Sequence, residues 1–353
     1  MPSPEINTGY YDSANVDLGK KLISKDYLMS VYPQIANQLI TPELWGWGSN
    51  NARQLGDNTL IHRSTPVTTF TGGANWKQVA CGQQHTAAIK TDGTLWTWGI
   101  NSYGRLGDNT STIRSTPVTT FAGGTNWKQV ACGGLHTSAV KTDGTLWTWG
   151  RNIEGQLGDN TIINRTTPVT TFAGGTNWKQ LSCGYGFHTA AIKTDGTLWT
   201  WGSNSTGQLG DNTTTQRLTP VTTFAGGTNW KQVAGGYGDT LAIKTDGTLW
   251  TWGRNDLGQI GDNTSGNNRF TPVTTFAGGT NWKQVSGGFF HAAAIKTDGT
   301  LWTWGGNGSG RLGDDTSSQR NTPITTFAGG TNWKQVACGY SHTPAVTYID
   351  SYQ

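Results

Sequence analysis

KTDGTLWTWG, residues Lys141–Gly150, decides the fold, because the same ten letters recur from Lys90, Lys193, Lys244 and Lys296. An Asp-Gly step between β-prone runs marks a tight hairpin, since Gly accepts positive φ without steric cost. Beyond the turn, alternation along TLWTWG sends Trp147 and Trp149 to one face and Leu146 and Thr148 to the other. Two strands therefore meet at every TDG.

Working outward, a Trp pair of the form WxWG begins at Trp45, Trp96, Trp147, Trp199, Trp250 and Trp302. The motif NWKQ places its tryptophan at Trp76, Trp127, Trp178, Trp230, Trp282 and Trp333. Spacings are 51 or 52 residues, and the two motifs consume all 18 tryptophans, so the Trp pairs read as packing material rather than as a specialised binding site. One unit, Trp127 to Phe172, divides into four extended segments, WKQVACG, HTSAVK, TLWTWG and TTPVTTF, each bounded by Gly, Asp, Asn or Pro. A four-stranded sheet with large apolar groups on its faces must stack on neighbours. Four strands per unit, six times over, predict an all-β six-bladed β-propeller of four-stranded antiparallel blades.

The ends predict how the ring closes. The first repeat enters at LWGWG without a preceding WKQ strand, and the last supplies WKQVACG and HTPAVTY and then stops. Strands Trp45–Gly48 and Thr65–Phe70 are expected to join Trp333–Gly339 and His342–Tyr348 in one composite blade, which would remove exposed edges. The chain divides accordingly into a leader, 1–43, the propeller, 44–348, and a tail, 349–353. Within the leader, ISKDYLMSVYPQIANQLITP reads as a short helix capped by Ser24, broken at Pro33 and resumed to Ile40. Leu22, Tyr27, Leu28, Val31, Ile35 and Leu39 form its apolar positions and are the candidate attachment residues.

Composition bounds the function classes. Of 353 residues, 13% are charged and 51 are Gly, and the only glutamates are Glu5, Glu43 and Glu154. The formal charge is +4, and most of the 25 basic residues occupy repeat positions spread around the ring, which argues against a nucleic-acid patch. The N-terminus shows no signal peptide and no segment reaches membrane-spanning length.

The run GLHTSAVKTDGTLWTWGRNIEGQLGDNT, Gly134–Thr161, resembles the regulator of chromosome condensation repeat family, and the likeness recurs over residues 44 to 348. The resemblance implies a propeller with WKQVACG innermost and TPVTTF outermost; family members often have seven blades, whereas six repeats stand here. It also brings in a member that acts as a nucleotide exchange factor through an insertion projecting from a blade. No repeat here exceeds its neighbours by more than one residue, so exchange activity is not expected. The leader followed by LWGWG resembles structural proteins of tailed bacteriophages that carry these repeats.

Strand parity separates two faces. The turns at TDG and FAGGTN are nearly identical in every repeat, whereas the turn before His and the loop GxNxxGQLGDNT open on a face where the repeats differ. Recognition is placed there, on Arg53, Tyr103, Arg105, Leu135, Arg151, Glu154, Tyr185, Phe187, Tyr237, Phe289, Phe290, Arg311 and Tyr340, because aromatic and Arg residues on loops of a rigid scaffold form contacts.

The other titratable residues read as structural. His85, His136, His188, His291 and His342 are equivalent, with Asp239 in the sixth place; one per blade points to hydrogen bonding rather than metal. Cys81, Cys132, Cys183 and Cys338 likewise share one position, as small inner-strand residues. The LGDN aspartates Asp57, Asp108, Asp159, Asp211, Asp262 and Asp314 are each followed by Arg63, Arg114, Arg165, Arg217, Arg269 and Arg320, which predicts an Asp–Arg clasp in each loop. Opposed carboxylates, a Ser-His-Asp set and a phosphate-binding glycine loop are all missing, so no catalysis, cofactor or metal is expected. The expected function is a non-enzymatic structural and recognition protein of a phage virion, assembled in the host cytoplasm. It would bind subunits of its particle and a host-surface protein or glycan, with a cytoplasmic protein-interaction scaffold as the alternative.

Overall fold

The computed structural model describes residues 15–17, 22–24, 43–70 and 75–347. The unit that opens the sequence argument becomes four antiparallel strands, Trp127–Cys132, His136–Lys141, Leu146–Gly150 and Arg165–Thr170, hydrogen-bonded in chain order. The register sets Thr137 opposite Trp149 and Ala139 opposite Trp147, small residues against large ones. At the TDG turn, the Thr145 N–H and hydroxyl donate to Asp143 Oδ1 at 2.9 and 2.7 Å, and the Trp147 indole N–H donates to that hydroxyl at 2.9 Å. Gly144 has φ +79°, and a Cβ there would stand 2.0 Å from the Thr176 carbonyl oxygen, so both turn and neighbouring chain require glycine. Lys141 then lies with its Nζ 4.7 Å from the ring centroids of both Trp127 and Trp147.

The core lies between blades rather than within them. Ala87, Ile89 and Leu95 of one blade pack with Trp127, Val130, Ala139 and Trp149 of the next, and the same cluster repeats around the arc. The first strands of successive blades adjoin one another, which places WKQVACG innermost. The second Trp of each complete pair is fully buried, whereas Trp147 and its equivalents are half-buried under the Lys.

Five four-stranded blades span Trp76–Thr325. Ring closure differs from expectation. Trp45–Gly48 with Arg63–Thr68, and Trp333–Val336 with Ala345–Thr347, remain separate two-stranded sheets. They face each other across a groove lined by Trp45, Trp47, Val79, His342 and Pro344. Without a covering sheet, Trp45 and Trp47 are 50% and 63% exposed, where Trp98 is 1%. Packing between blades sets the position of each sheet, and over the six steps from one half-blade to the other it leaves the two as separate sheets with no ladder between them. In the leader, Asn15–Asp17 pairs with Leu22–Ser24 as a short antiparallel ribbon that ends at Ser24. The expected helix beyond it, with Tyr27, Leu28, Val31, Ile35 and Leu39, lies outside the described residues.

Candidate recognition face

The long loop after WxWG divides into two halves. Its second half, LGDN, turns back along the blade and straps it to the next: Leu157 is fully buried, and the Asn160 N–H donates to the Leu218 carbonyl of the following blade at 3.0 Å. This half of the loop is therefore not part of the open face: Leu157 is enclosed, and Gly158 packs against Trp201 of the next blade. The Asp–Arg clasp forms in all six repeats; Arg165 reaches Asp159 Oδ2 with Nη2 at 2.7 Å and Nε at 2.8 Å. Burial opposes ionisation of Asp159, yet the bonds from Thr161, Arg165 and Asn152 outweigh it and hold the carboxyl below its usual range.

The His positions join blades. His85, His136, His188 and His291 each place Nε2 within 2.7–3.0 Å of a Thr hydroxyl on the next blade. Burial pulls His136 down to about 3 and His188 to about 4, so both are neutral near pH 7. Where Asp239 replaces His, the next blade carries Ala292 in place of Thr, and burial pushes the carboxyl up to about 8. Cys132 and Cys183 are buried on the inner strands. Among the described residues no three His, Cys, Asp or Glu side chains are grouped to hold a metal.

What remains for the face is the turn before His and the first half of the long loop. These bring together four aromatic residues from three successive repeats. Tyr237 stacks on Phe289 at 3.9 Å, Phe289 meets Phe290 at 4.5 Å and Tyr340 at 4.4 Å, and Phe290 meets Tyr340 edge-on at 5.2 Å. Guanidinium groups lie over the rim: Arg254 over Tyr237 at 5.3 Å, Arg311 over Phe290 at 4.9 Å, and Arg151 over Phe187 at 4.4 Å. Arg151 is paired with Glu154 at 2.8 Å, and Arg254 with Asp256 at 2.5 Å.

Not every expected residue joins this arc. Arg105 is 2% exposed, with its Nε–H donated to the Ser102 carbonyl at 3.0 Å; it is a buried group and not a surface contact, because its loop turns inward between blades. Tyr103 stands exposed at φ +67° with Arg105 at 6.0 Å, away from the cluster, and Arg53 is half-buried at φ +61°. Tyr185 is half-buried, its hydroxyl pushed up to about 12 by burial, and Leu135 is half-buried with its carbonyl accepting the Arg151 N–H. Arg254 was not among the expected residues. Its signal was present, since it occupies the place of Arg151 directly after WG.

A four-stranded repeat with inner WKQVACG, inter-blade LGDN straps and a loop face of this build matches a known sequence profile over residues 43–351. The chain belongs to the RCC1-like domain family. Ultraviolet-B receptor UVR8 from Arabidopsis thaliana is 34% identical to this RCC1-like chain over 308 residues, covering 85% of it and 70% of the receptor. E3 ubiquitin-protein ligase HERC2 from Homo sapiens is 30% identical over 278 residues, covering 77% of this chain and only 6% of the ligase. Among solved structures, human WBSCR16 superposes with a TM-score of 0.76 at 25% identity, covering 86% of this chain and 82% of that one. Yeast RCC1 (Prp20) bound to Kap60 gives 0.77 at 22% identity, covering 87% and 77% of the two chains, a likeness of fold.

Proposed function

We propose that this RCC1-like propeller is a non-enzymatic protein-interaction scaffold whose variable face, from Arg151 to Tyr340, holds the partner. The observation that carries the reading is the cluster Tyr237–Phe289–Phe290–Tyr340, built from loops where the repeats differ and supported by a framework in which they barely differ. Tyr340 is 57% exposed, so the cluster has an open side. Rigid aromatic and Arg groups at the centre of a face are the usual anchors of an interface. A protein partner agrees with yeast RCC1 (Prp20), which was solved bound to Kap60.

Site-specific photo-crosslinking tests this. A photoreactive phenylalanine at Tyr340 should trap a discrete protein in the source cells, and the same probe at Phe121, exposed elsewhere on the propeller, should not. Equal trapping at both positions, or trapping at Phe121 alone, refutes the face. The virion reading rests on the leader, most of which lies outside the described residues, and on the scarcity of Lys and Glu and the richness in Gly, Thr and Asn; the relatives found do not add to it. Mass spectrometry of purified particles containing this chain would restore it.

A further inference from the structure

One loop position carries Gln in four repeats, Gln54, Gln156, Gln208 and Gln259, and Arg in two, Arg105 and Arg311. In every Gln repeat the side-chain carbonyl accepts the backbone N–H two residues upstream, from Ala52 and Glu154 at 3.0 Å, Thr206 at 2.9 Å and Leu257 at 2.8 Å. A guanidinium has no acceptor, so neither Arg can perform that task. The exchange replaces an acceptor that caps the loop with a group that can only donate; Arg105 gives its Nε–H to the Ser102 carbonyl, whereas Arg311 makes no such bond.

At Arg311 the terminal Nη groups, and not the enclosed Nε, have an outlet. Its Nε–H is buried without a protein partner, and Nη2 makes only a 3.4 Å contact with the Ser309 hydroxyl. Among the described residues no carboxylate pairs with it, in contrast to Arg151 and Arg254 on the same face. The guanidinium lies over Phe290 and lines a pocket of about 360 Å³ with Leu257, Asn307, Ser317 and Gln319. Asn307 is committed, its Nδ2 to Asp314 and its Oδ1 to the Leu312 N–H. Arg105 shares the exchange, but at 2% exposure it has no room for a macromolecule.

We infer that Arg311 receives the carboxylate of an Asp or Glu side chain from the protein partner, while an adjacent apolar residue of that partner packs on Phe289, Phe290 and Tyr340. A planar guanidinium fixed against an aromatic wall and lacking a counter-charge presents its fork to a carboxylate, which accepts two parallel N–H bonds. The inference rests on the variable face being the binding face and adds the chemistry of the segment bound there.

The test uses synthetic peptides with a central Glu-Phe pair, immobilised densely on a biosensor, beside Gln-Phe, Lys-Phe and phosphoserine-Phe versions. The full chain should be retained at least fivefold more strongly by Glu-Phe than by Gln-Phe. Arg311→Gln, which installs the residue found in four other repeats, should erase that preference while leaving the melting temperature within a few degrees of the parent. Tyr340→Ser should weaken Glu-Phe retention several-fold. Equal retention of Glu-Phe and Gln-Phe, retention of neither, a preference for phosphoserine or Lys, or an unchanged preference in Arg311→Gln would overturn the carboxylate socket. Continued crosslinking at Tyr340 in any of those cases would leave the face itself standing.

Discussion

Two tryptophans at equivalent places in adjacent blades form an internal control for what the indole N–H contributes. Trp149 and Trp201 are both fully buried and both sit edge-on to the NWKQ tryptophan, at 6.3 and 6.1 Å. Trp201 donates its indole N–H to the Gln156 carbonyl at 3.0 Å; the Trp149 indole N–H is buried without a partner. Replacement by Phe removes the same ring from both sites, so transfer and cavity contributions cancel in the comparison. Trp201→Phe additionally loses a hydrogen bond with a net value of about 0.5–1.5 kcal/mol. The Gln156 carbonyl keeps the Thr189 hydroxyl at 2.9 Å, which places the loss toward the lower end. Trp149→Phe instead removes an unsatisfied buried donor, a relief of about 1–3 kcal/mol. Trp201→Phe should therefore be the more destabilising by about 2 kcal/mol, roughly a thirtyfold difference in the unfolding equilibrium constant. Urea unfolding followed by far-UV circular dichroism measures it, provided the two m-values agree. An equal or greater loss for Trp149→Phe would refute the reasoning.

The Asp–Arg clasp gives a second expectation: Asp159→Ala should cost about 2–3 kcal/mol, and Asp159→Asn about 1, because Asn keeps an acceptor for Thr161 and the lost ion pair has a half-exposed Arg. Amide exchange at Leu157 and Asn160 should accelerate in Asp159→Ala, and unchanged exchange there would show that the clasp does not hold the inter-blade strap. Titration supplies a third. Asp239, raised to about 8 by burial, holds a proton in the native state that the unfolded chain releases near its ordinary value of 3.8, so its contribution to stability is lost as pH rises through 8. His136 and His188 act in the opposite sense, their contribution falling as pH drops from 6.5 toward 4. The melting temperature of Asp239→Asn relative to the parent should rise between pH 5 and pH 8.5, and a constant offset would remove Asp239 from the account.

The recognition face shows where reading residues in order stops being sufficient. Tyr237, Phe289, Phe290 and Tyr340 were recognisable as departures from the repeat, and they meet. Arg105 was recognisable in the same way and is buried, because its loop turns inward between blades. Arg254 stands where Arg151 stands, directly after WG, and reaches the face in the same way. Whether an Arg faces solvent depends on the path of the loop and the neighbouring blade, which strand alternation does not record.

The sequence by itself determined the blade. Hairpin at TDG, alternation in TLWTWG, Gly at the αL turn and the Asp–Arg spacing are local properties, fixed by backbone sterics and by hydrogen bonds spanning a few residues, and repetition made them unmistakable. Tertiary structure alone decided three things: that LGDN is an inter-blade strap, that the two half-blades at the ends stand apart, and that Arg311, beside an aromatic wall, has no counter-charge among the described residues. The first two depend on how sheets 50 or more residues apart are placed, and the third on how two loops of one blade, 21 residues apart at Phe290 and Arg311, fold over each other. Packing between blades and the paths of long loops set these arrangements, and local alternation along a strand contains neither.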